Sequence, residues 1–153
     1  MKRTRTLFVC AAAMLLALST ACNPLEWFVP DKKELTTCDL TWLLTNASDR
    51  TVRFQFADFG FHTLPAGQSV ELMHTTVRAS RVEHSFYALF DYRPESHPLT
   101  LYTENGDTPL RTWTLSERHQ AGKQFYNREA WIFYRPSDTT AEWTFTLTAE
   151  DLE

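Results

Sequence analysis

Apolar and polar side chains alternate with a period of two over much of the chain. Leu40, Trp42 and Leu44 alternate with Asp39, Thr41 and Thr45, although Leu43 interrupts the polar stripe. Val52, Phe54 and Phe56 alternate with Thr51, Arg53 and Gln55. Successive strand side chains point to opposite faces, so each run predicts a strand with one buried and one wet face. Turn-forming residues 46–50 separate the two runs, and together they read as a hairpin. Residues 131–135 and 142–148 flank Pro136-Ser137-Asp138 and predict a terminal hairpin with Trp143, Phe145 and Leu147 on its inner face. Residues 99–103 and 110–115 flank Asn105-Gly106, a strong hairpin signal because both residue types tolerate positive φ.

The remaining segments are less regular. Residues 58–62 read as a Gly-containing connection, and residues 63–72 as a turn feeding an edge or crossover strand. Val70, Leu72 and His74 are expected to face inward there, and Pro65 to lie at an edge or outside the strand. Residues 75–83 are polar and read as a loop. The apolar run 85–90 reads as a short central strand in preference to a helical turn, because Pro94 and Pro98 follow closely. Residues 116–127 form a polar connection around Gly122, with 116–120 compatible with a short helix. The sum is an all-β chain of seven to eight short strands, an Ig-like or Greek-key β-sandwich, with a small barrel as the alternative.

The first 22 residues follow a different logic. Lys2, Arg3 and Arg5 form a charged start, and residues 7–18 an apolar run shorter than the ~20 residues of a spanning helix. Leu18-Ser19-Thr20-Ala21-Cys22 then reads as a bacterial lipobox. The expectation is lipidation of the Cys22 thiol and cleavage between Ala21 and Cys22. Two or three acyl chains, each CH₂ worth roughly 0.8 kcal/mol on burial, hold a protein firmly on a membrane. Asn23, in place of an Asp, favours the outer membrane, and the single acid in residues 23–27 favours its periplasmic face. Residues 1–21 are thus read as a signal peptide, 22–37 as a lipidated tether carrying the apolar cluster Trp27-Phe28-Val29, and 38–153 as one β-sandwich domain.

Cleavage leaves 12 basic against 19 acidic residues, a net charge near −7. Nucleic acid and a polybasic grip on anionic lipid are both excluded by that balance. Cys10 leaves with the signal and Cys22 carries lipid, so Cys38 stands alone and no internal disulfide forms in the mature chain. No H-E-x-x-H, C-x-x-C, phosphate-binding loop or G-x-S-x-G is present, and His62, His74, His84, His97 and His119 are scattered. His62 and His74 flank one predicted strand. Glu71, Glu83, Asp91 and Glu95 are acids of the kind paired in glycoside hydrolysis, but any acidic β-domain offers such residues. The reading is therefore a non-enzyme without metal or cofactor. Sugar-binding sandwiches expose aromatic platforms, and Tyr87, Tyr102, Trp113 and Trp131 are the candidates by residue type.

Several motifs occur in an order that resembles small lipoproteins of the Bacteroidetes. After the lipobox come Asn46-Ala47-Ser48 with Val52, the turn Pro65-x-Gly67-x-Ser69, the Gly106 turn, Tyr126-Asn127, and Thr144-Phe145-Thr146-x-Thr148-x-Glu150-Asp151. Asn105-Gly106-Asp107 departs from the Asp-Gly turn of that pattern. The resemblance implies a β-sandwich lipoprotein and transfers no catalytic or binding residue. The functional expectation is a lipid-anchored envelope protein acting through protein contacts, with glycan or small-ligand binding as the alternative.

Overall fold

A computed structural model describes residues 36–56, 60–91 and 98–153. Residues 22–35 of the expected tether, with Cys22 and the Ala21/Cys22 cleavage point, lie outside these residues, and Thr37, read as its last residue, opens the first strand instead.

Eight strands form two four-stranded sheets: β1 (Thr37–Asn46), β2 (Val52–Phe56), β3 (Phe61–Leu64), β4 (Ser69–Arg78), β5 (Leu99–Thr103), β6 (Pro109–Trp113), β7 (Ile132–Tyr134) and β8 (Thr140–Leu147). One sheet has the order β4-β1-β8-β7 and the other β3-β2-β5-β6. β1 runs parallel to β8; every other pair is antiparallel. The protein is an all-β sandwich. Its β3-β2-β5-β6 sheet and its β4-β1 pair follow the C′-C-F-G and E-B strand order of an immunoglobulin-like sandwich, but β8 lies parallel to β1, whereas the sheets of that fold are antiparallel.

The alternating stripes face the core as the sequence predicts. Leu40, Trp42 and Leu44 of β1, Val52, Phe54 and Phe56 of β2, and Trp143, Phe145 and Leu147 of β8 are all buried. Each buried Leu, Val or Phe is worth roughly 1.5–3 kcal/mol. Aromatic rings meet edge to face at the centre: Phe145 lies 5.5 Å from Trp113 and 5.2 Å from Phe125.

Three expectations need correction. β1 and β2 do not form a hairpin: β1 pairs with β4 and β8, while β2 pairs with β3 and β5. Residues 47–51 carry the chain from one sheet to the other. Asn46 makes that crossing possible. It is fully buried, donates through Nδ2 to the Arg50 and Leu64 carbonyls at 2.7 and 3.0 Å, and accepts at Oδ1 from the Ser48 amide and hydroxyl. Its own carbonyl accepts from Gly67 N–H at 2.7 Å, and Gly67 has φ +71°, a conformation that glycine adopts without penalty. The Asn46-Ala47-Ser48 and Pro65-x-Gly67 motifs are therefore two halves of one knot. Pro65 lies outside both β3 and β4, which are sheet edges, and Phe61 and His62 belong to β3 and not to a connection.

The second correction concerns β4, which extends through residues 75–78, expected to be loop. Its register slips opposite Trp42 and Leu43, which pair with Met73 and Glu71 and leave Leu72 as the extra residue of a bulge. The bulge reverses the phase of the strand. Val70 and Leu72 pack on the core as expected, but Met73 and Val77 then take over and His74 faces solvent.

The third concerns residues 79–91, which are helical: a 3₁₀ segment (Ala79–Tyr87) followed by a single α-turn, α1 (Ala88–Asp91). Ala79, Val82, Phe86, Leu89 and Phe90 are its buried residues, at helical spacing. Trp42 Nε1 donates to the Phe86 carbonyl at 3.1 Å and fixes this segment to β1.

The remaining hairpins stand, β5–β6 and β7–β8. The Gly106 turn is not the two-residue primed type, since Gly106 is absent from the positive-φ glycines. Its backbone passes close to a side chain: a Cβ there would lie 2.2 Å from Thr103 Oγ1, so a larger residue would have to displace that hydroxyl. The expected short helix is a 3₁₀ turn at Leu115–Glu117. A last 3₁₀ turn, Ala149–Leu152, is closed by a capping box in which Asp151 Oδ2 accepts from the Thr148 amide and hydroxyl.

Candidate functional site

The four aromatic residues singled out by type occupy unlike positions. Trp113 and Trp131 are 1% and 5% exposed, and their indole N–H groups donate to the Lys123 and Phe125 carbonyls at 2.9 and 2.6 Å. Both are core residues, not platforms. Tyr102 is half-buried on the outer face of β5, and Tyr87 is exposed in the 3₁₀ segment. Among the described residues no ring contact joins any two of the four. What Tyr102 does meet is Phe61, 52% exposed on β3, at 5.1 Å and 70° between planes. The Arg53 guanidinium lies 4.5 Å over the Phe61 ring and donates to the Gly106 carbonyl and the Asp107 carboxylate. The Phe61 face is covered by the protein's own cation, so this cluster is a cross-strand staple. The sequence placed Phe61 in a connection, and only strand pairing brings it beside Arg53.

Titratable groups are dispersed. Among the described residues no three His, Cys, Asp or Glu side chains gather closely enough to hold a metal ion. His62 stacks on Phe54 in one sheet at 5.3 Å, whereas His74 lies in the other. Glu71 and Glu83 are exposed, and Glu83 faces Arg128 at 3.9 Å. The Asp91 side chain, Glu95 and His97 lie outside the described residues. Cys38 is fully buried, and burial pushes its thiol upward against the opposing pull of Arg135. An inert structural thiol results.

Among the described residues the largest ionic cluster is also structural. Asp151, almost fully buried, accepts from Arg111 at 3.3 Å and from Lys123, which also donates to the Thr146 carbonyl and sits over the Phe145 ring. It pins the C-terminal turn to β6 and β8.

Three surface features remain. A cleft of about 520 Å³ lies at one end of the sandwich, walled by residues 49–51 and 103–105, with Val52, Leu110 and Leu152 at its base. A smaller cleft of about 120 Å³ opens between the edge strands β3 and β4, lined by Phe54, Phe56, Val70 and Leu72 with His62 and Glu71. Finally, Ile132 and Tyr134 are 66% and 57% exposed on the short edge strand β7. They project with Thr144 and Glu142 on the outer face, opposite Phe133, which packs inward on Trp143 at 4.7 Å. The sequence signal for them is the alternation Ile132-Phe133-Tyr134 set against the inward stripe of β8.

No family model, curated protein or solved structure matches the chain. Among the described residues no helix is long and apolar enough to cross a membrane.

Proposed function

We propose that this protein is an accessory module of the bacterial cell envelope, anchored by lipid on Cys22 and working through contact with another envelope protein. The lipobox supports the anchor, and the absence of Asp at position 23 supports the outer membrane, on its periplasmic face. The observation that carries the contact is the pair Ile132 and Tyr134, two large apolar side chains presented together on the open edge strand of a sheet. Edge strands usually carry charges that discourage pairing, and β7 carries apolar residues instead. A glycan reading founded on Tyr87, Tyr102, Trp113 and Trp131 loses its two tryptophans to the core.

Two measurements test the proposal. Metabolic labelling with an alkyne fatty acid should mark the wild type and not Cys22→Ala; a labelled variant removes the anchor. A photo-crosslinking residue at 132 or 134 in intact cells should trap one discrete partner, while the same residue at Thr112, on the other sheet, should not. Equal trapping at both places would remove the docking edge.

A further inference from the structure

We infer that the cleft at the end of the sandwich binds a small zwitterion with an apolar side chain, of the size of an amino acid or dipeptide. Its volume, about 520 Å³, falls within the range of ligand pockets. Its walls stand side by side because Val52 pairs with Thr103 where β2 meets β5. Both walls are held in place before any ligand arrives. Buried Asn46 and Ser48 fix the 47–51 crossing, with Asn46 Nδ2 donating to the Arg50 carbonyl and the Ser48 hydroxyl accepting from the Arg50 amide. On the other side, Gly106 N–H donates to the Thr103 carbonyl, and Arg53 donates to the Gly106 carbonyl. A preformed cleft of this kind spends little binding energy on ordering its loops.

The lining chemistry specifies the ligand. Asp49 and Glu104 are carboxylates, Arg50 is a guanidinium, and Thr51, Thr103 and Asn105 supply neutral donors and acceptors. Asp49 and Arg50 meet only at 3.8 Å, with both side chains largely in solvent. Such a pair is worth little and gives way readily to ligand charges. Among the described residues Glu104 and Asn105 have no side-chain hydrogen-bond or ion-pair partner. Two carboxylates beside one guanidinium complement an ammonium and a carboxylate on the same ligand, and disfavour polyphosphates, which need a cationic site. Leu110 and Leu152, with Val52 beneath, offer an apolar base for a side chain between the two charges.

The probe is leucyl-leucine, titrated calorimetrically into the full mature chain, with amide chemical shifts followed in parallel. The expected result is saturable binding, with shifts confined to residues 49–52, 103–105, 110 and 152. Blocking both termini of the peptide, or replacing Arg50→Gln or Glu104→Gln, should each weaken binding about tenfold. The two side chains sit at the cleft rim, and Arg81→Gln, an exposed position of the 3₁₀ segment that does not line the cleft, should leave binding unchanged. No saturation at millimolar peptide, equal binding of the blocked peptide, or unaltered binding by both rim variants would overturn the inference.

Discussion

Asn46 shows how much a single residue settles. Its side chain uses donors and acceptor alike inside the protein, and its backbone joins both sheet crossings. Asn46→Ala leaves the Leu64 carbonyl without the amide and frees the crossing, and should cost about 3 kcal/mol in urea denaturation. The tryptophans offer a controlled comparison. Trp113 and Trp131 each donate to a carbonyl, whereas Trp143 Nε1 is buried without a partner among the described residues. Trp143→Phe should therefore be milder than Trp113→Phe or Trp131→Phe by about 1 kcal/mol. Burial also pushes the Tyr126 phenol above its ordinary value near 10. The native state then keeps a proton that the unfolded chain releases, so stability falls as pH rises above about 10. Denaturation at graded alkaline pH should show that loss, and Tyr126→Phe should flatten it. Residue-level environments of this kind were not legible in the sequence: Trp113 and Tyr102 both alternate within strands, and nothing local tells which one faces the core.

Elements with local hydrogen bonding were legible, and those depending on distant partners were not. The β5–β6 and β7–β8 hairpins close within a few residues, so turn chemistry and alternation suffice to place them. The β1–β2 pair carries equally clear alternation, but alternation reports an inward face and not the sheet that owns it. The bulge at Leu72 is set by pairing with β1, some thirty residues earlier, so its effect on His74 is invisible locally. The helical segment 79–91 was different. Val82, Phe86, Leu89 and Phe90 follow helical spacing, and the short apolar run 85–90 obscured it. The final turn rests on Asp151. Asp151→Ala strips Lys123 and Arg111 of their shared carboxylate and opens the capping box. The cost in thermal or urea unfolding should be about 2–3 kcal/mol, below that of a wholly buried pair because both cations reach solvent.

At the scale of the whole molecule, folding and contact are separable. Ile132 and Tyr134 add little to the core, so Ile132→Ser with Tyr134→Ser should change stability by no more than about 0.5 kcal/mol while abolishing the crosslink from β7. The end cleft escaped the sequence because its walls come from segments about fifty residues apart and its base from Val52, Leu110 and Leu152, on three separate elements. One further property follows from the parallel pairing of β1 with β8, the inner strands of their sheet. A tug applied to the chain before Thr37 and resisted beyond Leu147 draws these neighbours past each other lengthwise. Their eight registered pairs must then strain together, with no free end from which to unzip. The order of the strands thus makes the domain a mechanical clamp, stiffest along the line in which an N-terminal tether would pull.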